Sequence, residues 1–394
     1  MQPKTLQRLN GDAFERIKDE MRTTLSIARA IDEQPTYATP LPQEVGFQLT
    51  NRCNLRCSTC FQWSDNGFHN SFSRDLQRAE LDLQIVRRVL HETRSIRSTV
   101  YLWGGEPLLY RNWDQLATLL AADRRRVLLC TNGLELPSKI STILPISKDF
   151  VCLVSMDGFE AENDALRGKH TFRRAFQAIM QVLELKRSGQ YLGEVAISCV
   201  LNAPLIPRLV EFVDYFDQMG VDSVYLVFPW YIPKTTANKM DQYFETNFSW
   251  LRDHNPEFVP NRANSWHSYD FFIAPELVDN LRQQMRNILD RVWRTRVRFQ
   301  PELDLDEVRE FVLGSEKPAQ RRTRCLSVAR RLNVMPDGGV TTCKLFPEFR
   351  VGTLNDRSVA EIWHSVIAAQ TRSKLADSLT PVCSKCVQLY LHSP

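Results

Sequence analysis

The chain has 394 residues, with 50 Lys and Arg against 46 Asp and Glu, and a net charge of +4 is too small to mark a nucleic-acid binder. Hydrophobic residues at 43% and charged residues at 24% are the proportions of a soluble globular protein with a large core. No run of about 18 apolar residues and no signal-type N-terminus occurs, so the chain reads as cytoplasmic, and its ten cysteines point to metal or catalysis rather than disulfides.

Residues 1–43 read as an N-terminal helix and linker: Phe14, Ile17, Met21, Leu25, Ala28 and Ile31 follow helical spacing, and three prolines follow within Glu33–Gln43. Six strands are predicted from 44 to 230, at 44–50, 98–103, 126–130, 149–155, 194–200 and 223–228. Helices are predicted near 75–94, 113–122, 171–187 and 207–219. Strands apolar on both faces and alternating with helices give an α/β fold, a partial (β/α)6 barrel, with functional groups after the strands' C-terminal ends. Residues 231–320 break the rhythm and read as a helical insertion. Their stripe Leu277, Leu281, Met285, Ile288 and Val292 belongs to a helix, and their many aromatics suggest core or a substrate lid. Residues 321–394 read as a small cysteine-bearing domain with a hairpin around Pro336-Asp337-Gly338-Gly339.

The first predicted strand runs into Cys53, Cys57 and Cys60, a C-x3-C-x2-C spacing. Thiolates so closely spaced suit zinc or an iron–sulfur cluster, and three on a four-iron cubane leave one iron open. Four further motifs follow in strand order: "GGEP" at Gly104–Pro107, "TNG" at Thr131–Gly133, "SMDG" at Ser155–Gly158 and "NDALRG" at Asn163–Gly168. Together they resemble the radical S-adenosylmethionine enzymes. The resemblance implies a [4Fe–4S] cluster on the three cysteines, with S-adenosylmethionine chelating its open iron and yielding a 5′-deoxyadenosyl radical that takes hydrogen from substrate. It implies that Gly104, Gly105 and Glu106 lie along the amine, that Ser155 and Asp157 sit near the ribose or amino-acid part, and that Arg167 pairs with the carboxylate. The family often carries an aromatic before the third cysteine. Here Thr59 stands there and Phe61 follows, so the adenine contact is unassigned.

Cys325, Cys343, Cys383 and Cys386 form a second set, two thiols flanking the hairpin and a CxxC closing from a distance. By itself the set reads as zinc or an iron–sulfur cluster. It resembles the SPASM or twitch extension of radical S-adenosylmethionine enzymes, and four cysteines fit the short, one-cluster form. That implies an auxiliary [4Fe–4S] cluster, or a [2Fe–2S] one, filled by protein ligands and suited to electron transfer. Cys130, Cys152 and Cys199 remain, small buried hydrophobes on strands. Cys130, at a strand's C-terminal end, is also a candidate hydrogen donor.

The resemblance implies oxidation or epimerisation. A small sugar- or cyclitol-like natural-product intermediate is expected as substrate, because the 43 residues before the first strand are short for a leader-binding module. A peptide-modifying maturase is the alternative, and a two-site zinc protein the non-catalytic one. The partners implied are the substrate and a one-electron reductant such as flavodoxin or ferredoxin, with no nucleic acid or membrane.

Overall fold

The computed structural model describes residues 2–8, 11–254 and 263–391. Ten strands form one sheet, which we number in chain order. They are β1 Glu44–Gln48, β2 Thr99–Trp103, β3 Val127–Thr131, β4 Phe150–Ser155, β5 Glu194–Val200, β6 Ser223–Val227, β7 Arg296–Gln300, β8 Arg331–Val334, β9 Gly339–Thr341 and β10 Arg350–Thr353. The spatial order is β10-β9-β8-β1-β2-β3-β4-β5-β6-β7. From β8 to β7 every neighbouring pair is parallel, and β9 and β10 add antiparallel to the β8 edge.

All six predicted strands are present, and two more join them in parallel. The first, β7, comes from the stretch read as a helical insertion. Its sequence RVRFQ alternates charge with apolar residues, so it lacks the continuous apolar run of its neighbours. The second, β8, comes from the cysteine-rich C-terminal stretch and pairs with β1, Leu332 opposite Val45. The partial barrel is thus wider than six strands, and the C-terminal hairpin continues its sheet.

The strands are not apolar on both faces. Val45, Phe47, Val100, Leu102, Val127, Leu129, Val195 and Ile197 point outward into one core shared with the surrounding helices. That core includes the buried faces of the helices Leu83–Glu92, Trp113–Ala122, Thr171–Arg187 and Leu209–Met219. Alternate positions, among them Glu44, Tyr101, Cys130, Ser155, Ser198, Tyr225 and Arg331, line a cavity of ≈ 1310 Å³. The period of two therefore separates an outer apolar shell from an inner face of mixed character, where Leu128, Leu153 and Val227 stand among the polar residues.

The helix Val278–Leu289 buries Val278, Leu281, Met285 and Ile288, while Val292 lies beyond it and is exposed. The N-terminal helix, α1, spans Gly11–Glu33. Ile27 and Ile31 pack against Leu326 and Ala329 of the C-terminal stretch. The earlier part of the expected stripe, Phe14, Ile17, Met21 and Leu25, faces solvent instead. No helix among the described residues is long and apolar enough to cross a membrane.

Candidate active site

The loop after β1 carries Cys53, Cys57 and Cys60, and all three line the cavity at the strands' C-terminal ends. The loop is fixed from several sides. Trp63 donates its indole N–H to the Asn51 carbonyl at 2.7 Å, and the Arg56 guanidinium lies 4.0 Å from the Trp63 ring centre. Backbone N–H groups of Leu55 and Trp63 point at the Sγ atoms of Cys53 and Cys60, each at 3.4 Å. Burial pushes the free thiols up, Cys53 to about 12 and Cys57 to about 11, with Arg167 opposing the rise at Cys57. Three thiols on one loop, Cys57 buried and Cys53 and Cys60 part-buried with N–H donors on their sulfurs, are a donor set that could hold an iron–sulfur cluster. Among the described residues no three His, Cys, Asp or Glu side chains are arranged to hold a single metal ion.

The GGEP segment after β2 is sewn to this loop. Gly105 N–H donates to the Thr50 carbonyl at 2.8 Å and Glu106 N–H to the Arg52 carbonyl at 2.7 Å. A Cβ on Gly105 would lie 2.1 Å from the Arg52 carbonyl oxygen, and one on Gly104 would lie 2.5 Å from the Thr50 oxygen. The glycines are therefore required by the cysteine loop's own backbone. Glu106, buried, accepts from Thr131 Oγ1 at 2.7 Å, Asn132 N–H at 2.8 Å and Leu108 N–H at 3.0 Å. Its carboxylate ties GGEP to the TNG turn. Burial still pushes its pKa up to about 7, against these donors.

Arg167 closes the helix Glu160–Arg167 and donates through Nε to Asp157 Oδ2 at 2.7 Å. Its Nη1 lies 4.0 Å from Cys57 Sγ. Asp157, fully buried, also accepts the Val200 N–H at 2.8 Å and the Thr59 hydroxyl at 3.5 Å. The SMDG aspartate thus aims the arginine across the loop at the cysteines, and Thr59 rests on that pair. Ser155 lines the cavity beside them. Phe61 stacks on Tyr269, with ring centres 4.7 Å apart and planes 10° apart, so it is already occupied by protein.

The second set also gathers. Cys383 and Cys386 raise the pKa values of Cys325 and Cys343, after the larger effect of burial, which places the four thiols in one neighbourhood. Thr380 Oγ1 lies 3.1 Å from Cys383 Sγ. Tyr269 stands between the two sets: its pKa is raised first by burial, then by Cys343, Cys386 and, more weakly, Cys60. Tyr269, Trp230 and Phe271 line the cavity, whereas Phe244, Phe248 and Trp266 are core. Of the leftover cysteines, Cys152 and Cys199 are buried in the outer shell, and Cys130 faces the cavity beside Tyr101.

Sequence reasoning missed Lys344, Tyr101 and Arg331, which no motif marks. The Lys344 ammonium sits 4.2 Å from the Tyr101 ring centre, and burial followed by Arg331 brings its pKa down to about 7. Alternation along β2 and β8 was the available signal for Tyr101 and Arg331, whereas Lys344 lies in the loop after β9, where no periodicity marks it.

The radical SAM superfamily model matches residues 47–207, and the SPASM iron–sulfur cluster-binding domain matches 325–387. The chain belongs to the radical S-adenosylmethionine superfamily. Radical S-adenosylmethionine enzymes with a SPASM domain use [4Fe–4S] clusters and S-adenosylmethionine, which agrees with the donor sets described above. The pre-heme d1 synthase of Dinoroseobacter shibae is 33% identical over 190 residues, 48% of this chain and 43% of that protein. This chain therefore spans under half the length of that relative. The cysteine-type anaerobic sulfatase-maturating enzyme of Clostridium perfringens is 23% identical over 85% of this chain and 83% of its own. Streptococcus suis SuiB bound to precursor peptide SuiA superposes with a TM-score of 0.56 at 13% identity, covering 91% of this chain and 71% of SuiB, and so shares the fold.

Proposed function

We propose that this radical S-adenosylmethionine enzyme is a maturase that abstracts hydrogen from a residue of a peptide held in the barrel cavity. The observation that carries this reading is the reach of the cavity, whose ≈ 1310 Å³ includes the room for the cluster and S-adenosylmethionine and continues well beyond them. Its lining runs from the cysteine loop past Leu128, Leu153 and Val227 to a mouth flanked by the exposed Ile17 and Met21 of α1, a reach suited to a chain segment. Two of the similar proteins support the same reading, although the pre-heme d1 synthase is not named for a peptide. SuiB was captured with a precursor peptide, and the clostridial relative matures a sulfatase. They favour the peptide alternative over the sugar- or cyclitol-like substrate expected from the short N-terminal segment.

In this reading Cys53, Cys57 and Cys60 hold the first cluster, and Cys325, Cys343, Cys383 and Cys386 hold the second. Bound there, the first cluster and S-adenosylmethionine supply a carbon-centred radical able to abstract hydrogen. Gly104 and Gly105 form the shelf for the cofactor's amine, and Ser155 meets its ribose or amino-acid end. Arg167 offers its remaining N–H groups to the carboxylate. Asp157 and Glu106, whose oxygens are already taken by protein donors, position Arg167 and the GGEP shelf.

Cys130 supports epimerisation as a second outcome, because its thiol is the one leftover thiol that lines the cavity. It would return a hydrogen atom to the substrate radical, and the sulfur radical left behind would be restored by one electron and one proton from a flavodoxin- or ferredoxin-type reductant. Without that return, loss of a proton, and of an electron toward the second cysteine set, gives net oxidation.

The test is anaerobic crosslinking of the reconstituted chain to candidate precursor peptides, followed by turnover with S-adenosylmethionine and dithionite. The expected result is a crosslinked peptide whose mass changes as 5′-deoxyadenosine accumulates. Turnover of a sugar-like acid or cyclitol, with no peptide accepted, would overturn the peptide reading.

A further inference from the structure

We propose that Lys344, Arg331 and Trp103 form a carboxylate-binding subsite inside the barrel that grips an acidic group of the substrate. The proposal rests on the peptide reading and names a chemical feature of that peptide. All three side chains line the cavity, beside Tyr101 and Cys130. Arg331, 4% exposed, donates through Nε to Asn333 Oδ1 at 3.0 Å and through Nη1 to Glu44 Oε2 at 3.1 Å and Gln388 Oε1 at 3.4 Å. Its Nη2 is buried with no acceptor among the described residues, and so is the Trp103 indole N–H.

These two donors lie close together over Gly46, next to Asn333 Oδ1, which a Cβ there would approach to 2.8 Å. A Cβ placed on Gly46 would lie 3.0 Å from Arg331 Nη2 and 3.6 Å from Trp103 Nε1. Glycine at position 46 lets Arg331 and Trp103 settle this close to the strand, with their free N–H groups at the cavity wall. Lys344 faces the same residues: its ammonium lies 4.2 Å from the Tyr101 ring centre and 5.4 Å from that of Trp103, and the Arg331 guanidinium lies 5.1 Å from the same Tyr101 ring. Among the described residues no carboxylate comes within ion-pair reach of Lys344, whereas Arg331 has Glu44.

The geometry and the donor inventory point the same way. Glu44 is shared by Arg331 and Arg330, which also has Glu20, so among the described residues Lys344 is the amine of this group without a carboxylate, and Arg331 Nη2 and the Trp103 indole N–H are donors without an acceptor. Buried donors left unmade and a cation without a counter-ion are both costly, and a monoanion with two oxygens satisfies both needs at once. A carboxylate has that charge and shape. On a peptide it comes from an acidic side chain or from the chain end.

The experiment is calorimetric titration of the anaerobically reconstituted full chain, with S-adenosylmethionine present throughout so that the cofactor's own carboxylate is already seated. The probes are an acetylated, amidated pentapeptide with a central glutamate, its glutamine counterpart, and the glutamine peptide with a free C-terminal carboxylate. One or both acid peptides should bind about tenfold or more tighter than the neutral one, and which of them does so names the source. The preference should vanish in Lys344→Met, return in Lys344→Arg and weaken in Trp103→Phe. Trp103→Phe keeps the ring and carries the test alone where Lys344→Met does not fold. Equal affinity for the three peptides, no binding by any, or a preference unchanged in these variants overturns the subsite. Dithionite-driven release of 5′-deoxyadenosine is measured on the same wild-type sample. Its absence with the acid preference intact removes the radical reading and leaves the subsite, and its presence with no acid preference does the reverse.

Discussion

Gly105 has no room for a side chain, because the Arg52 carbonyl stands 2.1 Å from where a Cβ would be. The obstacle is backbone, so Gly105→Ala must displace the cysteine loop. We expect a loss of about 3 kcal/mol or more in denaturant unfolding and a fall in bound iron after reconstitution. Glu106 makes a different prediction. Its folded-state pKa, about 7, lies above its ordinary value of 4.5, so between these limits the folded chain binds more protons than the unfolded one. Stability of the cofactor-free chain should therefore fall as pH rises from about 4.5 to 7, by at most about 3 kcal/mol, and Glu106→Gln should flatten that slope. At this scale the sequence was legible where residues sit in motifs. Spacing singled out Cys53, Cys57 and Cys60, and the family resemblance Arg167, but neither could show that Arg167 is held by Asp157, ten residues earlier in chain and across a turn. Nor could it show that Thr59 rests on that pair while Phe61 stacks on Tyr269. Such contacts depend on how loops from different strands meet.

The hairpin β8–β9 turns at Gly338, whose φ is +83°. A Cβ there would also lie 2.9 Å from Ile85 Cδ1. Gly338→Ala should cost about 1–2 kcal/mol, seen as a lowered melting temperature, because an L-residue is strained at that φ. The SPASM helix Val359–Trp363 is anchored at both ends: Ser358 and Glu361 form a capping box, and Trp363 donates its indole N–H to the Thr39 carbonyl at 2.6 Å. Trp363→Phe should cost about 1–3 kcal/mol in chemical denaturation by leaving that buried carbonyl unpaired. The six predicted strands were legible because their outward faces carry Val, Leu and Ile in short runs between turns. Strand β7 was hidden because its inward positions, Arg296, Arg298 and Gln300, are polar. The exposed half of α1 misled in the opposite sense, since its apolar spacing looked like a buried face.

The whole chain pairs an open set of three thiols with a set of four, and Tyr269 stands between them. Anaerobic reconstitution should give about eight irons per chain. Cys383→Ala should lower this to about four, still release 5′-deoxyadenosine from S-adenosylmethionine, and impair substrate turnover. Cys57→Ala should abolish that release altogether. Two zincs and no iron in the wild type would refute both cluster assignments.

The pairing of β8 with β1 has a consequence for synthesis. Leu332 is hydrogen-bonded across from Val45, so the edge of the first barrel strand waits for residues made nearly 290 positions later. At roughly 5–20 residues per second, that edge stays bare on the ribosome for about 15–60 s. A bare parallel edge is a template for pairing with other chains, and a fragment ending before β8 should be recovered as aggregate rather than as an isolated barrel.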